Sequence, residues 1–355
     1  MKPRVDWFQV GLFGAMALAW LAPAPGAAGG WLRPEVLTKA AVSLVFLLHG
    51  LRLPFDTLRS GALNWRLHAI VQGTTFLIFP LIGILLFVAL DGSMAPELRA
   101  GLFYLCVVPS TVSSSISLTA VARGNVGAAV FNATLSNLAG VLLTPLWIAL
   151  FLATTGATRP LGPVVIDLAR WLLLPLALGQ ALRPWFSAWA SRQRVPLGVV
   201  DRGAVLLLVY TSFCDSFAGG VWSRQGAPAL AAVILLSVGL IALLTWFTRS
   251  AARRAGLGHE DQMAAVFCGS QKTIAAGVPM AKVIFGSHPA LGVMLLPLMV
   301  YHGLQLLAGG WLAQRWSDPI FPINFPWFGS SDYWKGQVDM LVEQTEAMQA
   351  KPLVV

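Results

Sequence analysis

Five stretches of the chain contain no Asp, Glu, Lys or Arg: Leu67 to Leu90, Ala100 to Ala122, Gly124 to Thr158, Gln225 to Thr248 and Val283 to Gln314. Each is longer than the roughly 20 residues with which a helix crosses the hydrocarbon core of a bilayer. Their apolar positions do not alternate, so the period of a half-buried strand is missing. Lipid offers no partner for backbone N–H and C=O groups, and a helix pairs them within its own segment. With the remaining apolar runs included, the pattern predicts helices over 7–22, 35–52, 66–90, 99–122, 126–155, 162–183, 201–220, 227–249, 261–285 and 289–314. The fourth and ninth are expected to be broken near their middles.

Composition agrees with a lipid solvent, since 57% of the residues are hydrophobic and 11% charged, too little polar surface to coat a soluble globule. The net charge of +9 would suggest nucleic acid in a soluble protein. Here the basic residues sit in short connectors, where they orient the chain, and no nucleic-acid partner is expected. Fourteen of them, from Lys2 and Arg4 through Arg249, Arg253, Arg254 and Arg315, fall on one face of the ten-helix arrangement, against six on the other. That asymmetry places both termini in the cytoplasm, and the sparing use of soluble sequence suits a bacterial inner membrane. Lys2, Arg4, the apolar run after them and the small residues Ala22 to Gly30 also have the make-up of a cleavable leader. Removing that segment would break the match between charge and side, so it is kept as helix 1. The cysteines Cys106, Cys214 and Cys268 stand singly in apolar segments and suggest neither a disulfide framework nor a metal knuckle.

A Pro/Gly-bearing connector near Gly156 to Pro163 divides the chain into 1–158 and 159–315, with five predicted helices each, followed by a charged tail over 316–355. Two five-helix units in sequence must lie in the membrane with opposite orientations, the inverted-repeat plan of many secondary transporters. The fourth helix of each unit is interrupted by polar residues: Pro109-Ser110-Thr111-Val112-Ser113-Ser114-Ser115 in the first, Gly269-Ser270-Gln271-Lys272-Thr273 in the second. Proline removes a backbone donor and Ser/Thr side chains offer the freed groups local partners, so Pro109 and Gly269 are expected to mark helix breaks. Two broken helices that cross at mid-membrane present half-helix N-termini to anions and unwound carbonyls to cations. Small polar residues also let helices pack closely, and each one alone is consistent with that simpler role.

Lys272 is the sharpest single residue, because an ammonium inside an apolar segment is costly and faces a cavity or a partner. Asp215 could neutralise it or take part in proton coupling, or could equally lie at the outer interface beside Trp222. Gln72, Asn132, Thr134, Ser136 and Asn137 bring further hydrogen-bonding groups into long apolar helices, with Asn132 and Ser136 on one face. Ser270 and Lys272 have the chemistry of a nucleophile and base for an intramembrane hydrolase. An i, i+2 pair points to different sides of a helix, which tells against that enzyme.

The chain resembles the family of sodium/bile acid cotransporters and, within it, the branch called cotransporter 7-like. The resemblance rests on Phe46-Leu47-Leu48-His49-Gly50-Leu51, on Pro109 to Ser115, on Asn132 to Pro145, and on Gly269 to Thr273 with Gly277-Val278-Pro279. It implies a panel domain of helices 1, 2, 6 and 7 and a core domain of helices 3 to 5 and 8 to 10, in which helices 4 and 9 cross. It also implies ion ligands at Ser114, Ser115 and Gln271, within Thr134 to Asn137, and more loosely at Gln72. The chain departs from the family where a sodium-binding glutamate is expected: Phe267 stands there, and Lys272 follows the glutamine. A hard cation wants oxygen ligands and negative charge, so the sodium site is in doubt. The expectation is a secondary transporter of a small organic anion with no resident cofactor, coupled to sodium or to a proton, with Ser113, Ser270 and Thr273 completing the candidate site. A membrane scaffold or regulator without transport is the alternative.

Overall fold

In the computed structural model, residues 7–52, 64–151, 166–220, 226–286 and 288–317 are described. The Gly156 to Pro163 connector, the leader-like residues Lys2 and Arg4, and the tail from 318 onward lie outside them. The described residues form α1 (Trp7–Leu21), α2 (Pro34–Arg52), α3 (Trp65–Ala89), α4 (Pro96–Val107), α5 (Ser113–Val121), α6 (Val126–Phe151), α7 (Leu174–Arg192), α8 (Arg194–Ala218), α9 (Ala227–Arg254), α10 (His259–Ser270), α11 (Ile274–Phe285) and α12 (Leu291–Ser317). Among the described residues there is no strand. Six helices, α2, α3, α6, α8, α9 and α12, are long and apolar enough to cross a membrane. The four short ones, α4, α5, α10 and α11, have 9 to 12 residues each and could not span alone.

The surface confirms the solvent inferred from composition. Leu85, Leu142, Leu235 and Trp185 are among many large apolar side chains that point outward, which in water would be an aggregation hazard and in lipid is the favourable state. Polar groups are instead gathered inside: Ser110, Ser115, Asn132, Ser136, Gln271 and Lys272 are all buried.

Helices α2 and α7 lie along each other, as do α1 and α8. The α2–α7 contact is backbone to backbone: a Cβ on Gly50 would collide with the Leu176 carbonyl, and one on Gly179 with the Leu47 carbonyl. Gln180 Nε2 donates to the Gly50 carbonyl across the same seam. On the other side, α4 packs against α3 and α12, and α10 packs against α9, α3, α5 and α6. A π turn, Thr74–Ile78, interrupts α3 just before Pro80.

Three helix N-termini meet at one carboxylate. Asn64 caps α3 by accepting from Leu67 N (3.3 Å), and Asn125 caps α6 by accepting from Ala128 N (2.9 Å). Each asparagine then donates its amide to Asp261 in the first turn of α10, at 2.7 and 2.8 Å. The charge sits where three helix dipoles favour it, and it fixes the start of α10.

Candidate functional site

Both predicted interruptions are present. α4 ends at Val107 and α5 begins at Ser113; α10 ends at Ser270 and α11 begins at Ile274. Pro109 lies in the first gap as expected, whereas Gly269 does not lie in the second. Gly269 is still helical, held in the last turn of α10 where a side chain would press on Thr248, and the chain opens only at Gln271. The gaps touch directly: Thr273 N donates to the Pro109 carbonyl at 3.1 Å.

Each opened peptide is gripped by the second helix after it. Ser110 N donates to Ser136 Oγ (3.0 Å), and Asn137 Nδ2 donates to the Ser110 carbonyl (2.9 Å), both from α6. At the second gap Lys272 N donates to Gln305 Oε1 (2.8 Å) and Gln305 Nε2 donates to the Lys272 carbonyl (2.8 Å), both on α12. The same amide nitrogen lies 2.8 Å from His302 Nδ1, and that Nδ1 is also 3.3 Å from the Lys272 carbonyl oxygen. Tyr301 Oη closes the end of α10 by donating to the Ser270 carbonyl at 2.6 Å.

The Lys272 side chain is fully enclosed. Its Nζ donates to the carbonyls of Thr75 (3.2 Å), Cys106 (2.9 Å) and Val108 (2.8 Å), so three donors meet three acceptors. Sequence-local causes leave those carbonyls available. Pro80 has no N–H for the carbonyls four and five residues before it; that of Phe76 takes the Trp147 indole N–H (2.9 Å), and that of Thr75 takes Lys272. Ser110 N, which would bond Cys106 if α4 continued, is diverted to Ser136. Val107, between the two lysine acceptors, receives Thr144 Oγ1 at 2.8 Å. The ammonium therefore sits at the C-terminal, negative end of α4, 4.0 Å from the centroid of the Phe79 ring.

Gln271 turns to the other half-helix. Its Oε1 accepts from Ser114 Oγ (2.7 Å) and Ser115 Oγ (3.4 Å), and Ser115 Oγ also reaches the Phe267 carbonyl (2.8 Å). Their hydrogen-bond partners are hydroxyls, an amide oxygen and a main-chain carbonyl, with no carboxylate among them. Phe267 fills its position with a ring 5.9 Å from that of Trp316. Phe267 thus stands where the resemblance implied a sodium-binding acid, and the Lys272 Nζ holds the nearby carbonyls.

The other candidates divide. Gln72 Nε2 donates to the Asn132 carbonyl (3.1 Å), and His68 Nδ1 lies 3.2 Å from Asn132 Oδ1, a polar group between α3 and α6. Thr134 is buried on α6, while Ser113 is exposed. Ser270 Oγ donates back to the Val266 carbonyl (2.8 Å), so the hydroxyl and the lysine of the hydrolase pair have separate partners. Asp215 is not the partner of Lys272. Its Oδ1 accepts from Ala28 N at 2.7 Å, and the cation it interacts with is Lys282, at the far end of α11. The ten residues from Lys272 to Lys282 carry the chain about 15 Å along the helix, which is why the two lysines meet different groups. The residues not foreseen are Gln305, His302 and the three carbonyl acceptors of the lysine cradle. An amide in the middle of the apolar run to Gln314 was a signal for Gln305; main-chain oxygens carry none.

The described residues thus form a helical membrane protein in which two helix interruptions meet beside a buried lysine. The chain matches the SBF-like CPA transporter family over residues 6–318 and belongs to it. It is 41% identical over 318 residues to an uncharacterized protein of Pseudomonas aeruginosa, covering 89% of this chain and 95% of that one. It is 36% identical over 315 residues to YfeH of Escherichia coli, named a candidate symporter (88% and 93% covered). It is also 33% identical over 312 residues to mouse sodium/bile acid cotransporter 7 (87% and 91% covered). The class is thus a membrane transporter of the bile acid:sodium symporter type.

Proposed function

We propose that this protein is a secondary active transporter of a small organic anion, working by alternating access, in which the Lys272 ammonium takes the place of a coupling cation. One observation carries the proposal: Nζ is held by three main-chain carbonyls, the donor set a bound cation would use, at the negative end of a half-helix. Because all three of its donors are engaged, the lysine acts as fixed positive charge beside the substrate and makes no direct bond to it. The half-helices α5 and α11 begin at the crossing, and their N-termini favour an anion. A small cavity lined by Phe46, His49, Leu176, Asn137 and Ala276 lies between α2, α7 and the crossing.

In this proposal α4 with α5, and α10 with α11, each make one interrupted crossing, giving ten spans arranged as inverted repeats over 1–158 and 159–315. The matching grips on Ser110 and Lys272, each by the second helix after it, support that symmetry. α1, α2, α7 and α8 form the panel and the remaining helices the core, in a bacterial inner membrane with both termini cytoplasmic. Ser114, Ser115, Ser136, Asn137, Gln271 and Thr273 shape the crossing, and Gln72, Asn132 and Thr134 back it from α3 and α6.

Thermal stability of the detergent-purified protein at constant ionic strength tests the proposal, with sodium exchanged for choline and with a panel of organic anions added. Sodium is expected to leave the wild type unchanged and to stabilise Lys272→Ala, while a transported anion stabilises the wild type. Stabilisation of the wild type by sodium would overturn the substitution of lysine for the coupling ion.

A further inference from the structure

The lipid-facing stripe of α9 ends in arginine. Leu235, Val238 and Trp246 are exposed along one side of the helix, Trp246 by 62%. Arg249 and Arg253 continue the same side at i+3 and i+7 from Trp246, within an arc of about 60° and about 5 and 10 Å further along the axis. Tryptophan favours the membrane–water boundary, so a tryptophan at that depth sets the two guanidinium groups at the level of lipid phosphates.

The arginines are held in place and lack acids. The Arg249 guanidinium lies 4.6 Å from the centroid of Trp316 on α12, and Arg315 lies 5.3 Å from the centroid of Trp311, itself 40% exposed. α9 packs against α12, which brings the two stacked pairs to one end of the same helix pair. Among the described residues Arg249, Arg253 and Arg315 form no ion pair, and Arg249 Nε is a buried donor without an acceptor. A planar guanidinium fixed by stacking and still carrying free donors is pre-organised for a phosphate oxygen pair.

We propose that Arg249, Arg253 and Arg315, with Trp246 and Trp311, form a binding site for the headgroup of an anionic phospholipid at the C-terminal ends of α9 and α12. The charge of the site is complementary to that headgroup and to no zwitterionic one, and the apolar stripe below Trp246 receives the acyl chain. The site reaches the helix crossing. Trp316, the platform for Arg249, packs on Phe267, and the Phe267 carbonyl is held by Ser115. A lipid on Arg249 thus steadies α10 next to its opened end. The inference does not depend on the transported substrate; the proposed orientation decides only the leaflet, which is the cytoplasmic one.

The test is lipid retention by native mass spectrometry, together with melting temperature, of the full-length delipidated protein given phosphatidylglycerol, phosphatidylcholine or inorganic phosphate. Phosphatidylglycerol is expected to bind and raise the melting temperature, with the other two inactive. Arg249→Gln and Arg315→Gln should each weaken that binding about fivefold. Arg253→Gln, at an exposed position where misfolding is not at issue, should weaken it to a similar extent, and Arg192→Gln on α7 should leave it unchanged. Equal phosphatidylglycerol binding by the Arg249→Gln/Arg315→Gln protein and the wild type would overturn the site. So would stabilisation by phosphate alone, or binding that appears only after residues 318–355 are removed, which would make the acidic tail the occupant.

Discussion

Gln305 grips both backbone groups of Lys272, with Oε1 2.8 Å from the lysine N and Nε2 2.8 Å from its carbonyl oxygen. One side chain thus replaces the two main-chain bonds that Lys272 gives up when α10 opens. Gln305→Leu, close in size, leaves the buried Lys272 N–H without a partner, at roughly 1 to 3 kcal/mol, and its carbonyl with only His302 Nδ1 at 3.3 Å. A clear fall in the melting temperature of the purified protein is expected, whereas Gln305→Glu should lose mainly the half of the grip that donates.

Lys272→Met keeps the length of the side chain and removes its charge. Three buried carbonyls at the Thr75, Cys106 and Val108 positions then lose their donor. Transport in vesicles is expected to stop, and Lys272→Arg should not restore it, since the planar fork cannot present three converging donors to one cradle.

Pro80 shapes the cradle from α3 without touching the lysine's charge. Pro80→Ala supplies an N–H that can close on the Thr75 or Phe76 carbonyl and straighten the π turn. The expected result is a protein that melts no lower than wild type yet transports several-fold more slowly. A rate equal to wild type would show that the π turn has no part in placing the Thr75 carbonyl.

Asp261 ties the N-termini of α3, α6 and α10 through Asn64 and Asn125. Asp261→Ala removes two charge-assisted hydrogen bonds, each worth roughly 1.5 to 3 kcal/mol. Hydrogen exchange should rise first at the starts of those three helices. Loss confined to the melting temperature, with exchange there unaltered, would place the effect elsewhere.

Much of this was written in the order of residues. Charge-free runs longer than a bilayer is thick leave a helix as the only economical form, and Pro109 forces α4 to stop where it does. Lys272 announced itself because a charge in such a run must be paid for by a specific partner. What that partner would be was not written there. Asp215, the acid the sequence offered, accepts from Ala28 N, and Lys272 is instead held by main-chain oxygens, which every residue possesses and no residue name reveals. Gly269 was flexible enough to end α10, but Gln305 grips Lys272, three residues further on, and the helix opens there. Sequence by itself determined the solvent, the helices and the residues too polar for their surroundings. Only the tertiary structure decided which of them meet, because each meeting joins segments tens to nearly two hundred residues apart, often through an anonymous main-chain group, and neither leaves a local pattern.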